Sequence, residues 1–328
     1  MNEPLLLVTL DANAAARAII EANAGAGTRV VYLADLKGEQ RGPALAEAMI
    51  VLARNTAKEL LPGEAVLLAK ARFIQFVTAG VDYIPLSDLP AHLDIASNGG
   101  AYSEPMAEHA LAMALAGLKR LFIEHTKLTA GTFDQFKPNR MLAGATCGIL
   151  GFGGIGVATA RLMRSLGARI HAINRRGAAD EPVDWIGTTG ELDTLLAASD
   201  ILVLCLPLTP ASRGLIGARE LGRMKRDAIL VNLARGEIVE EAALYAHLQS
   251  VPEFTACIDA WWIEPVRHGH FHMDHPFMSL PNVIASPHNS ASVTGWRDVA
   301  MRRAMENIRR VLDSGIAKFL VPPEDRMM

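Results

Sequence analysis

Short apolar runs alternate with stretches of helical spacing along most of the chain. In the first hundred residues the runs are Leu5 to Leu10, Arg29 to Ala34, Ala48 to Leu52, Phe73 to Val77 and Asp94 to Ser97. Strands that alternate with helices predict a parallel sheet covered on both faces, hence an α/β fold. The series resumes with Cys147 to Leu150, Ile170 to Ile173, Ile201 to Leu206, Ala228 to Asn232, Thr255 to Ile258 and Val283 to Ser286. Asn98-Gly99-Gly100 reads as a hinge between the two series, followed by a helix over Ser103 to Leu121. The middle of that helix, ALAMALAGL, is apolar on every side and therefore predicts burial all round. A partner subunit would supply that burial, although packing within one chain fits the pattern almost as well. Glu108 and His109 read as capping and packing residues, and Phe133 and Phe136 as loop aromatics that lid a pocket or serve a subunit contact.

The stretch from Cys147 to Arg176 carries the most specific pattern. A strand leads into Gly151-x-Gly153-x-x-Gly156, apolar residues recur at Ile155, Ala158, Leu162 and Leu166, and Gly167 precedes a second strand. In such a unit Gly151 permits the tight turn, Gly153 lets the backbone approach a pyrophosphate, and Gly156 lets the helix sit close to the sheet. The phosphates would rest on the helix N-terminus, near Gly154 and Ile155, where N–H groups lack intrahelical partners. A fold of this kind that prefers NAD usually places an acid at the end of the second strand to bind the ribose 2′-OH. Here Asn174 is followed by Arg175 and Arg176, and two guanidinium groups suit a 2′-phosphate, which favours NADP with NAD as the alternative. A solvated basic turn, with Asn174 on the 2′-OH of NAD, also fits these residues.

Composition narrows the class without changing this picture. Of 328 residues half are hydrophobic, and 32 basic against 35 acidic side chains leave a net charge of −3. Nothing in that balance points to nucleic acid or an anionic membrane. MNEPLLLVTLDA reads as a first strand rather than a signal peptide, and the apolar run from Ala110 to Leu118 is too short for a bilayer. Cys147, Cys205 and Cys257 lie in apolar runs and read as buried thiols of a cytoplasmic protein.

Candidate chemistry collects where strands end. Thr78-Ala79-Gly80-Val81-Asp82 follows a strand, and the backbone N–H groups near Gly80 suit a carboxylate, though an ordinary turn fits equally. Arg235, Asp259 and His288 follow successive strands of the second series. A 2-keto acid needs its carboxylate fixed, its carbonyl polarised and a proton delivered as hydride arrives. Arg235 has the fork for the first two tasks, His288 can exchange the proton, and Glu264 can orient His288. The segment VRHGHFHMDHP places His268, His270, His272 and His275 together. It reads as a solvated loop without implied fixed structure, in preference to a metal site, or as a shaper of the substrate pocket with Trp261 and Trp262.

The motifs GFGGIG, LPLTPASRGLI, VNLARGEIVEEAAL, DAWWIEP and LPNVIASPHNSA, in this order and spacing, resemble those of the D-2-hydroxyacid dehydrogenases over nearly the whole chain. The resemblance implies two open doubly wound parallel-sheet domains. One, residues 101–292, would be a Rossmann dinucleotide-binding domain; the other, residues 1–100 with 293–328, a flavodoxin-like substrate domain, with the active site in the cleft between them. It implies Arg235, Glu264 and His288 as catalytic triad, substrate carboxylate binding near Ala79 and Gly80, and Asp259 on the nicotinamide carboxamide. Gly151, Gly153, Gly154, Ile155, Asn174, Arg175, Arg176, Leu206, Pro207 and Leu233 complete the expected cofactor contacts, and no metal is called for. A homodimer through the Ser103 to Leu121 region is likewise implied. Glu264 stands where formate dehydrogenases of the superfamily carry Gln, which points to keto and hydroxy acids, and no C-terminal regulatory extension is expected. The implied activity is hydride transfer between NAD(P)H and a small 2-keto acid, of the glyoxylate or hydroxypyruvate kind. The competing class is a nucleotide-sensing scaffold like the C-terminal-binding proteins, against which the complete acid–base set argues.

Overall fold

The computed structural model describes residues 3–326. Two compact units result: one combines the N-terminal stretch up to Tyr102 with the stretch from Val293 onward, and the other is Ser103–Ser292.

The first unit is built on a parallel sheet of β1 (Leu5–Val8), β2 (Arg29–Tyr32), β3 (Ile50–Ala53), β4 (Phe73–Phe76) and β5 (Asp94–Ala96). Its strand order β2-β1-β3-β4-β5 is that of flavodoxin-like sheets, and every pairing is parallel. Alternation along each strand feeds two apolar layers. Leu5 and Leu7 meet Leu45, Ile74 and Phe76 on one face, whereas Leu6 and Val8 meet Ile20, Met301, Met305 and Ile308 on the other. The last four come from the Trp296–Ser314 helix and the Ala14–Asn23 helix, so the C-terminal segment closes the sheet that the N-terminal segment opens. A buried amide clamp fastens it there. Asn307 Nδ2 donates to Gln75 Oε1 at 2.7 Å and to the Lys318 carbonyl at 2.9 Å, and Lys318 N donates back to Asn307 Oδ1 at 2.9 Å.

The second unit carries β6 (Thr146–Leu150), β7 (Arg169–Ile173), β8 (Trp185–Gly187), β9 (Ile201–Leu204), β10 (Ile229–Asn232), β11 (Thr255–Ile258) and β12 (Val283–Ala285). The order β12-β11-β10-β9-β6-β7-β8 is parallel throughout, with β6 and β9 at the point where the chain reverses its direction of travel across the sheet. Ligands of such sheets bind beyond the carboxyl ends of the strands at that point. Strands β6, β9 and β10 are buried at every position, which explains their unbroken apolar runs. β8 has no counterpart among the expected strands, because a three-residue edge strand with partly exposed Trp185 and Ile186 leaves too short a run to register.

The helix expected over Ser103 to Leu121 ends at Leu118. Arg120 takes a left-handed conformation, φ 54°, and a second helix follows over Leu121–Thr129. The first of these packs on the Gly154–Ser165 helix and on β10 and β11, where Gly117 leaves room for Ile229. Burial all round is not reached within the chain: Ala112 is exposed and Leu111 and Leu115 are half-buried. Among the described residues no helix is long and apolar enough to cross a membrane.

Candidate active site

The glycine turn follows β6 as a tight left-handed bend. Gly151 sits at φ 99°, its N–H donates to the Ile173 carbonyl at 3.0 Å, and a Cβ there would lie 2.6 Å from Leu206 N. A Cβ on Gly156 would lie 2.4 Å from the Gly151 carbonyl oxygen, so both positions exclude any side chain without moving backbone. Gly153 differs, because nothing lies within 4 Å of the place its Cβ would take. It caps the Gly154–Ser165 helix without a side-chain cap, which leaves the N–H groups of Gly154 and Ile155 oriented for an anion over an open face. These residues fit a dinucleotide pyrophosphate. Beyond β9, Leu206 is half-buried and Pro207 exposed; the Leu233 side chain is buried at 1 % exposure, so that residue can offer a ligand only its main chain.

At the end of β7 a polar turn presents the two arginines. Asn174 Nδ2 donates to the Ala178 carbonyl at 2.8 Å, Asn174 Oδ1 accepts from Arg176 N at 2.9 Å, and Gly177 takes φ 61°. Both ends of the amide are thus engaged in shaping the turn, while Arg175 and Arg176 stand exposed on it.

The charged site residues follow β10, β11 and β12. After β10, Asn232 Oδ1 accepts from Ala234 N at 3.0 Å and Asn232 Nδ2 donates to the Arg235 carbonyl at 2.9 Å, which folds the loop back and projects a half-buried Arg235. Gly236 then presses on the next loop: a Cβ would lie 2.4 Å from the Trp261 carbonyl carbon and the Trp262 nitrogen. After β11, Glu264 Oε1 accepts from Trp261 N at 2.7 Å, and the Trp261 indole donates to the Ser286 carbonyl at 2.9 Å. After β12, His288 Nδ1 lies 2.8 Å from both carboxylate oxygens of Glu264. The imidazole is 33 % exposed and the carboxylate 8 %. A carboxylate on Nδ1 fixes the proton at that nitrogen and leaves Nε2 to exchange one with a ligand.

Two features hold this arrangement in place. His288 sits at φ 50°, a conformation that costs a non-glycine residue about 1–3 kcal/mol and persists when neighbours enforce it. The enforcing neighbour is Asp259, whose carbonyl accepts from His288 N at 2.8 Å. Its fully buried carboxylate accepts from Ser286 Oγ at 2.5 Å, Asn289 N at 3.1 Å and Ser290 N at 3.3 Å. The aspartate expected at a nicotinamide carboxamide is therefore engaged by the end of β12 and the loop after it. Behind it, His109 Nε2 lies 3.0 Å from Ser286 Oγ, so this residue of the long helix touches the site's support rather than serving only as a cap.

Burial is the largest single influence on Glu264 and pushes its carboxyl up. The His288 hydrogen bond and charge, the Trp261 N–H and the Arg235 charge together outweigh it and hold the group below the usual carboxylate range. Burial is the largest influence raising the thiols: Cys147, with a smaller push from Cys205, and Cys257 are held protonated, and Cys205, half-buried rather than buried as expected, is pushed up to about 12.

In the first unit, the turn after β4 holds Ala79 and Gly80, both half-buried. Asn98 N donates to the Thr78 carbonyl at 2.8 Å, while Asn98 Nδ2 and the Tyr102 hydroxyl each donate to the Val77 carbonyl at 3.1 Å. The Thr78 hydroxyl is buried without a hydrogen-bond partner, a polar atom suited to a ligand at this turn.

The histidine-rich segment is solvent-exposed as expected, with His268, His270 and His272 exposed and His275 half-buried, yet it makes fixed local contacts. His268 Nδ1 accepts from Glu264 N at 3.0 Å, His272 pairs with Asp274 at 3.1 Å, and His275 stacks on Tyr245 with centroids 4.9 Å apart. Phe271 meets Trp261 edge-on at 5.5 Å. Local contacts from the neighbouring helix and tryptophans supply the order that alternating histidines do not imply. Among the described residues no group of three or more His, Cys, Asp or Glu side chains is placed to hold a metal ion.

The chain is similar to known proteins over most of its length. Residues 111–290 match the model described as "D-isomer specific 2-hydroxyacid dehydrogenase, NAD binding domain". A D-3-phosphoglycerate dehydrogenase of Archaeoglobus fulgidus is 31% identical over 250 residues, which are 75% of this chain and 46% of that protein, so the match spans about half of the relative's length. A glyoxylate/hydroxypyruvate reductase B of Salmonella schwarzengrund is 29% identical over 78% of this chain and 80% of its own. Among solved structures, the D-isomer specific 2-hydroxyacid dehydrogenase of Xanthobacter autotrophicus Py2 in complex with NADPH and MES shares the fold with a TM-score of 0.80. It covers 99% of this chain and 100% of its own at 24% identity. With the glycine turn, the Glu264–His288 pair and Arg235 at the ends of one parallel sheet, and a family match over more than half its length, the chain belongs to the D-isomer specific 2-hydroxyacid dehydrogenases.

Proposed function

We propose that this chain reduces small 2-keto acids, of the glyoxylate or hydroxypyruvate kind, with NADPH preferred over NADH. The observation that carries the reading is the Glu264–His288 contact, both oxygens at 2.8 Å on Nδ1, beside a half-buried Arg235. The nicotinamide, when bound, supplies the hydride. Arg235 grips the substrate carboxylate and draws density from the carbonyl oxygen. His288 delivers a proton from Nε2 to that oxygen and, in the reverse direction, takes it from the hydroxyl. Glu264 stays ionised and steadies the imidazolium. In the first unit, the backbone N–H groups of the turn at Ala79 and Gly80 suit a carboxylate. The similar Salmonella protein's name supports the substrate class.

The cofactor part rests on Arg175 and Arg176, exposed on the turn that Asn174 shapes. Charge-assisted bonds to a 2′-phosphate make catalytic efficiency with NADPH about tenfold or more above that with NADH. Steady-state rates on glyoxylate with both cofactors, in the parent and in Arg176→Ala, test this. Loss of the preference in the variant is expected. Equal or better use of NADH by the parent would sink the NADPH preference and leave the reductase intact.

The same reading includes a homodimer through the long helix and the segment C-terminal to it. Ala112 is exposed there, and so are Leu121, Phe122 and Phe136 at 57 %, 55 % and 86 %. An apolar surface of this kind marks an interaction site. Sedimentation at micromolar concentration should find the mass of two chains; a monomer would refute the assignment.

A further inference from the structure

We propose that Glu237 and Arg267 are positioning residues, a side-chain strap that sets Arg235 against the Glu264–His288 pair; this rests on the functional reading above. Glu237 follows Arg235 by two positions and Arg267 follows Glu264 by three. Arg267 NH1 donates to Glu237 Oε2 at 3.0 Å and NH2 donates to Oε1 at 2.6 Å, a forked pair. Only 12% of the arginine side chain and 15% of the glutamate side chain are exposed. A fork withdrawn from water fixes distance and orientation together, whereas an exposed ion pair constrains little.

The surroundings explain why a strap matters at this place. On the Arg235 side, Glu237 lies in the single turn Gly236–Ile238, whose backbone is tied down by Gly214 N donating to the Glu237 carbonyl at 2.8 Å. On the Glu264 side, the helix Pro265–His268 is one turn long and cannot hold itself. It is held through its side chains: Glu264 N donates to His268 Nδ1, and the Arg267 fork reaches across to Glu237. Trp262 Nε1, donating to the Val239 carbonyl at 2.7 Å, joins the same two loops one step further from the charges. The strap thereby couples the residue that grips the substrate to the carboxylate that orients the acid. Its loss would let Arg235 move relative to His288 while the glycine turn, on other strands, stays as it is.

The test measures kcat and KM for glyoxylate, cofactor affinity and melting temperature in Glu237→Gln, Arg267→Met and the charge swap Glu237→Arg with Arg267→Glu. Because displacement of a reacting group by about 1 Å can cost about a hundredfold, each single variant should lose roughly tenfold or more in kcat/KM. The loss should lie mainly in KM, cofactor affinity should hold, and the swap should recover much of the loss. A folded single variant with kcat/KM near that of the parent would overturn the proposal. So would a parallel fall of cofactor affinity, melting temperature and kcat/KM, which marks a general structural role. If Glu237→Gln does not fold, Arg267→Lys, which keeps the charge without the fork, carries the comparison, and its failure to fold would also overturn the proposal. Activity of the parent on glyoxylate, absent in His288→Ala, checks the functional reading separately.

Discussion

His288→Ala is expected to lower kcat for glyoxylate reduction by about 10²–10⁴-fold, the span that a positioned general acid contributes, and to leave cofactor affinity unchanged. The cofactor turn belongs to β6 and β7, while His288 follows β12, so the substitution removes the proton donor and spares the dinucleotide site. It also relieves a left-handed backbone of its bulky side chain without relieving the backbone, which Asp259 still holds through His288 N. Fluorescence titration with NADPH beside steady-state rates separates the two effects. Turnover near that of the parent would overturn the acid–base assignment.

The pH dependence of the parent carries the same claim with a definite sign. Reduction consumes the proton on His288 and oxidation needs the neutral imidazole, so reduction declines as pH rises while oxidation climbs. Glu264 does not cancel this trend. Its carboxyl is held below the usual range, so it remains charged through neutrality, and the stability its pairing contributes is lost only as pH falls through that lowered range. Profiles that run in parallel in the two directions would contradict the role of His288.

Residues that act through main-chain geometry were easier to read in the sequence than those that act through long-range partners. Gly151 and Gly156 announce themselves because backbone approaches of 2.6 and 2.4 Å admit no other residue. Arg235, Glu264 and His288 were legible because parallel strands deliver such residues to one sheet edge. Glu237 and Arg267 were not: they lie 30 residues apart, and neither has a local pattern that names the other. Ser286 was equally silent, since a serine at a strand end has many uses, yet it joins His109 to Asp259. The sequence does not mark the break at Arg120, because the run through Leu121 keeps its apolar spacing and the left-handed residue is neither glycine nor proline. The motifs mark residues at the sheet edge; packing decides how they are held.

Arg235→Ala is the second substitution with a large expected effect, and it should differ in kind from His288→Ala. Removing a donor that stabilises charge developing on a carbonyl oxygen costs about 10²–10³ in kcat, and the same side chain is assigned the substrate carboxylate. The variant should therefore lose on both counts, with KM for glyoxylate rising as kcat falls. Arg235→Lys retains a charge but not the planar fork, so it should recover only a small part of the loss. The loop itself should survive, because Asn232 holds it through the Ala234 N–H and the Arg235 carbonyl, groups that alanine keeps. Gly236, packed against the Trp261 and Trp262 backbone, fixes the position from which residue 235 projects. Guanidinium added in solution should partly restore the alanine variant and do nothing for His288→Ala. Unchanged KM with lowered kcat would assign Arg235 to the carbonyl alone, and an unaltered kcat/KM would remove it from the site.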